Sequence, residues 1–110
     1  MSDISQARGE MTRRVLKGDG SASPAQRRAA FDNAGLEGAL ATLVDKIASC
    51  PHQITDEDFG TAKAACRSED QLFEVVICAA LGQAGRQYDA ALAALEAATE
   101  STSHATRDPR

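Results

Sequence analysis

The chain has 110 residues, of which 43% are hydrophobic, 25% charged and 4% aromatic, and it contains no tryptophan. That is the size of one small domain and excludes a large enzyme carrying its own cofactor-binding unit. The net charge of −4 is unevenly spread: residues 1–30 hold six Lys/Arg against three acids, and residues 31–100 hold four bases against twelve acids. An acidic body argues against nucleic acid as a partner, because phosphates demand a basic surface. The hydrophobic fraction overstates the core. About a fifth of the residues are alanine, and the large apolar side chains are few: Phe31, Phe59, Phe73, Tyr88 and a scatter of Leu, Ile and Val. At about 25 cal/mol per Å² of apolar area buried, such a monomer is marginal, so a second copy or a partner is expected to complete it.

No apolar run approaches the ~20 residues of a membrane span. Met1–Glu10 lacks the hydrophobic segment of a secretory signal. Three cysteines make no disulfide framework, so the expectation is a cytoplasmic protein with free thiols and no membrane contact.

Helix signals run the length of the chain, without sustained period-2 alternation. The first predicted helix covers Ser5 to Lys17, with Ile4, Met11, Val15 and Leu16 as a thin apolar stripe and Gly18 as a left-handed stop. Residues 18–23 read as a loop. A second helix starts at Pro24, capped by Ser23, and runs to Ala34 with Gly35 as its stop; Ala30 and Phe31 face inward. The third covers Leu36 to Ser49, its stripe being Leu36, Leu40, Leu43, Val44 and Ile47, and Pro51 ends it. The fourth is short, Asp56 to Ala65. Thr55 caps it, three acids sit in its first turn, and Phe59 and Ala62 are its expected buried positions.

The fifth helix is capped by Ser68, with Gln71 closing a capping box, and the pattern extends to Ala98. Leu72, Phe73, Val76, Ile77, Ala80, Leu81, Ala84, Tyr88, Ala91, Leu92 and Leu95 form its broad apolar stripe. About 30 helical residues span ~45 Å, whereas a compact chain of this length has a radius of gyration near 13 Å. The helix therefore breaks near Gly82 and Gly85, or another subunit covers it. The organisation read from this is a basic helix or flexible arm over 1–22, a helical domain over 23–99 and a disordered tail over 100–110.

Chemistry is sparse. Cys50, Cys66 and Cys78 form no Cys-x-x-Cys pair, the usual arrangement for lowering one thiol's pKa beside its resolving partner. Cys78 reads as a small buried hydrophobe, and Cys50 and Cys66 as exposed thiols at helix ends. Cys50-Pro51-His52 brings a thiol near an imidazole, yet the remaining ligands of a metal site are missing. Glu74 lies within an apolar segment, where a carboxylate can act as a proton acceptor with a raised pKa or pair with Arg86 or Lys63. Glu74, Cys50 and His52 are thus the candidate catalytic residues, with no cofactor and no metal implied. Leu81, Gly82, Ala84, Gly85, Tyr88 and Leu92 are the candidate interface, because the two glycines let another backbone approach.

The stretch Leu43–Ala48, then Ile54-Thr-Asp-Glu-Asp-Phe59, then Ala64-Ala-Cys-Arg-Ser-Glu-Asp-Gln-Leu-Phe-Glu74, then Ala79-Ala-Leu-Gly82 resembles the carboxymuconolactone decarboxylase/alkylhydroperoxidase D-like family over about residues 36–97. The resemblance implies an all-α fold of about five helices, assembling through its long helix. In redox members of that family, activity resides in a Cys-x-x-Cys followed by histidine before the short helix. Here that region reads Ser49-Cys-Pro-His-Gln-Ile-Thr-Asp-Glu-Asp58, a variant without the cysteine pair. Cys66 stands where the family pattern has a turn glycine; a left-handed conformation there would cost about 1 kcal/mol or more. The expected function is a self-associating accessory or binding subunit. One alternative is a decarboxylase-like or peroxidase-like enzyme with a pocket between subunits. Another is a protein-interaction module that uses its basic N-terminal arm on a protein partner.

Overall fold

The computed structural model describes the backbone of residues 2–107 and the side chains of residues 3–100. It is all-α among those residues: α1 (Ser2–Lys17), α2 (Pro24–Asp32), α3 (Gly38–Ser49), a 3₁₀ turn (Pro51–Gln53), α4 (Asp56–Ala64) and α5 (Glu69–Arg107). The expected fold class of a small helical domain with a long last helix is therefore seen.

Local chemistry explains most of the boundaries. Ser23 Oγ accepts the Gln26 N–H at 3.0 Å and Pro24 opens α2. Thr55 and Asp58 form a reciprocal capping box at α4: the Thr55 hydroxyl accepts the Asp58 N–H, and the Asp58 carboxylate accepts the Thr55 N–H. Ser68 Oγ accepts the Gln71 N–H, while Gln71 Oε1 accepts the Arg67 N–H rather than that of Ser68. Together these satisfy donors that a helix start leaves free.

Several boundaries differ from the sequence reading. Helix α1 already begins at Ser2. Gly18 follows it without the left-handed geometry expected of a glycine stop. Helix α2 ends at Asp32 because Asn33 takes the left-handed conformation, φ 52°, which its short polar side chain tolerates. Helix α3 therefore starts at Gly38 rather than Leu36, and Leu36 packs on the core from the connecting turn. Cys66 has no positive φ: the turn after α4 runs through Ala65 in right-handed geometry, so the expected strain is not there. Helix α5 passes Gly82 and Gly85 without a break, and it continues helical beyond Glu100, where a tail was expected, through Arg107. Residues 108–110 of that expected tail lie outside the described residues.

The core is small and set by α5. Leu16, Ala22, Ala30, Leu40, Leu43, Val44, Ala62, Val75, Cys78 and Ala79 are buried, with Phe31, Leu36, Ile47 and Leu72 packed against them. Helix α2 lies most extensively along α5, and α3 next. Only the N-terminal half of α5 is used this way, and the molecule is long, 66 × 30 × 20 Å, with a radius of gyration of 18.2 Å. The excess over the ~13 Å of a compact chain is helix that this chain alone does not cover.

The tightest approach is at Gly82, which is buried in α5. A Cβ there would collide with the Phe31 backbone carbonyl at the end of α2. A Cβ at Gly85 would meet nothing within 4 Å. Gly82→Ala is therefore expected to cost about 1–3 kcal/mol by overpacking. Gly85→Ala is expected to leave stability unchanged or raise it by up to about 1 kcal/mol through helix propensity. Thermal unfolding of the two variants followed by circular dichroism checks the contrast.

Candidate functional site

The residues with the most structured polar contacts lie where α1, the 18–23 loop, α2 and α5 meet. Arg27 on α2 is 4% exposed. Its Nε donates to the Ala22 carbonyl at 3.1 Å and its Nη1 to the Val15 carbonyl at 2.9 Å. Val15 is in the last turn of α1, where carbonyls lack helical partners and a cation is favoured. From the opposite side Glu74 accepts two backbone N–H groups, Ser21 at 2.9 Å and Ala22 at 2.8 Å. Gly20 makes room for this, since a Cβ there would fall 2.6 Å from Glu74 Oε1. The loop backbone is held with its carbonyl on a buried guanidinium and its amides on a carboxylate.

This places the first candidate catalytic residue in a structural role. The N–H bonds from Ala22 and Ser21 hold the Glu74 carboxyl below its ordinary value, with a smaller contribution from the positive charge of Arg27. That direction is opposite to the raised pKa expected of a proton acceptor in an apolar stripe. Hydrogen bonding to the charged form outweighs burial here. Neither Arg86 nor Lys63 pairs with it: Lys63 bridges Glu69 at 2.6 Å, and Arg86 donates to the Phe31 carbonyl at 2.7 Å and to Gln83.

Cys50 and His52 are elsewhere in the fold. Cys50 is the half-buried C-cap of α3, and His52 lies exposed in the 3₁₀ turn. They are not among the hydrogen-bond partners of Glu74, so the three candidates do not form one constellation. Among the described residues no group of three His, Cys, Asp or Glu could hold a metal ion. The cysteines are free. Cys78 is fully buried, as expected, and burial pushes its thiol up. Cys66, expected to be exposed, is half-buried against the core, and burial raises its pKa too. Burial stabilises the thiol over the nucleophilic thiolate.

The six candidate interface residues divide. Gly82 does meet another backbone closely, but it is that of Phe31 in the same chain. Leu81 and Leu92 are half-buried; Ala84 and Tyr88 are exposed. Leu81, Gly82, Ala84, Gly85 and Tyr88 of α5 line a groove of about 1040 Å³ together with Ile4, Arg8 and Met11 of α1 and Phe31 of α2. Arg8 sits over the Tyr88 ring at 5.2 Å and pairs with Asp89 at 3.0 Å. Arg28 sits over the Phe31 ring at 5.6 Å and pairs with Asp32 at 2.9 Å.

Sequence reasoning missed Arg27. A signal was present: Arg27 precedes Ala30 and Phe31 by three and four residues, which puts all three on one helix face. It also missed Val75 and Ala79, which are among the most buried residues of α5. Comparison with family models, with curated proteins and with solved structures returns no match.

The Glu74 bonds have a pH signature. Its folded pKa is lowered, so its contribution is complete above the ordinary glutamate value of 4.5 and is lost as pH falls below it. Glu74→Ala is expected to cost about 1–3 kcal/mol at pH 7, since it leaves two donors without their acceptor. Urea unfolding between pH 3 and 7 should show a steeper acid loss of stability in the parent than in Glu74→Gln.

Proposed function

We propose that the chain is a self-associating helical subunit of the alkylhydroperoxidase D-like kind, without a dithiol, acting as a binding or accessory component. The observation that carries this reading is apolar surface left uncovered on an unbroken helix. Phe73, Ile77, Tyr88 and Leu95 of α5 are 64%, 38%, 38% and 61% exposed. Contiguous exposed apolar surface on a small protein marks an interaction site. The thin core points the same way. Its largest fully buried side chains are Leu43, Val44, Val75 and Cys78, with no aromatic ring among them. Support for a binding rather than a catalytic role comes from Glu74, whose carboxylate is engaged by the loop amides instead of being presented to a substrate.

The order of elements fits the resemblance: a short capped α4 leads into a long Ser68-capped α5 with small residues at its middle. No helix among the described residues is long and apolar enough to cross a membrane.

Multi-angle light scattering tests the reading directly. The expected mass is an integral multiple of 11.6 kDa at micromolar concentration, and a species of 11.6 kDa at every concentration overturns it.

A further inference from the structure

We infer that the occupant of the exposed α5 stripe is the α5 of a second copy, running antiparallel, with the two-fold axis passing at Ala84. This rests on the self-association proposed above and adds the direction and the register.

Seven of the exposed apolar positions of α5 follow one line. Phe73, Ile77, Ala80, Ala84, Tyr88, Ala91 and Leu95 are all exposed, and successive members are three or four residues apart. The pattern repeats after eleven residues, from Phe73 to Ala84 to Leu95. Eleven residues over three turns keep such a line on one side of a nearly straight helix. The core residues Val75, Cys78, Ala79 and Gly82 occupy the other side. From Phe73 to Leu95 the stripe is about 33 Å long at ~1.5 Å per residue. None of its members carries a charge.

The stripe is complementary to itself in one direction. Turned end for end about Ala84, it sets Phe73 opposite the second copy's Leu95, Ile77 opposite Ala91, Ala80 opposite Tyr88 and Ala84 opposite itself. In the inner pairs a large side chain faces a small one, as close packing of two helices requires. An alanine falls on the axis, where the backbones come nearest. Two-fold contacts of this kind use one patch twice.

A parallel pair lacks these features. It stacks Tyr88 on Tyr88 and leaves Ala80 facing Ala80 and Ala91 facing Ala91. It also sets Glu69 and Asp70 beside their own copies and aligns the helix dipoles. The antiparallel pair instead brings exposed Glu100 near position 68 of the second copy, next to exposed Arg67.

Cysteine trapping decides the direction. In a background with Cys50→Ser and Cys66→Ser, the Phe73→Cys and Leu95→Cys chains are prepared separately, mixed and mildly oxidised. The expected product is the mixed disulfide, in at least about tenfold excess over same-site disulfides, since only opposed cysteines come within disulfide reach. Ala84→Glu, a change at an exposed position, is expected to give an 11.6 kDa species with unchanged helical circular dichroism. Same-site disulfides, or an Ala84→Glu chain that keeps the parent's mass, overturn the antiparallel pairing while self-association stands. A parent that scatters as a monomer overturns both.

Discussion

The fold depends on how closely α2 lies against α5. That approach exists because residue 82 has no side chain, so the end of α2 reaches the surface of α5 at the Phe31 carbonyl. The same carbonyl accepts a hydrogen bond from Arg86, one turn further along α5. Gln71 and Gln26 join the two helices through their side-chain amides at 2.8 Å. Ala30 on α2 and Val75, Cys78 and Ala79 on α5 are small side chains buried in the core that the two helices share. Alanine content that looked like a poor core is, on this side of α5, what allows the backbones to approach.

Once α2 is seated, the loop before it has to return from α1, and two opposite charges hold it. Arg27 is almost fully buried, yet its guanidinium donates to carbonyls from both α1 and the loop. Glu74 supplies the acceptor for the loop amides. A buried cation of this kind is tolerable only when hydrogen-bonded and near negative charge. Helix α1 is tied to the body at its C-terminal end by Arg27 and further out by the exposed Arg8–Asp89 pair. Along its length it leaves a groove against α5 that is lined by Ile4, Met11 and Tyr88.

Much of the fold was legible in the sequence because its signals are local. Ser23-Pro24, Thr55 and Ser68 mark helix starts through their own backbone bonds, and those starts are found where the pattern puts them. The stripe of α3 is likewise inward, with Leu40, Leu43 and Val44 buried. Helix ends were less legible, because Asn33 and Gly35 both offer a left-handed residue and only the packing decides which one stops α2. The candidate site was legible least. A carboxylate within an apolar segment has the same sequence signature whether it waits for a proton or holds a loop amide, and the amides of Ser21 and Ala22 lie more than fifty residues from Glu74. Helix α5 shows the same limit: it is apolar on two sides, and periodicity does not say which side meets the body. Phe73 and Ile77 carry the larger side chains but face outward, while Val75 and Ala79 face the core.

Helix α5 thus has one side covered by this chain and one side exposed, which the proposed self-association would cover. Amide hydrogen exchange measured at several protein concentrations separates the two most directly. Amides of residues 72–82, held by α2 and α3, should be protected at every concentration. Amides of residues 84–98 should gain protection as concentration rises through the association range. Rapid exchange of residues 84–98 at all concentrations would contradict the account, because that half of α5 would then have no partner to cover it.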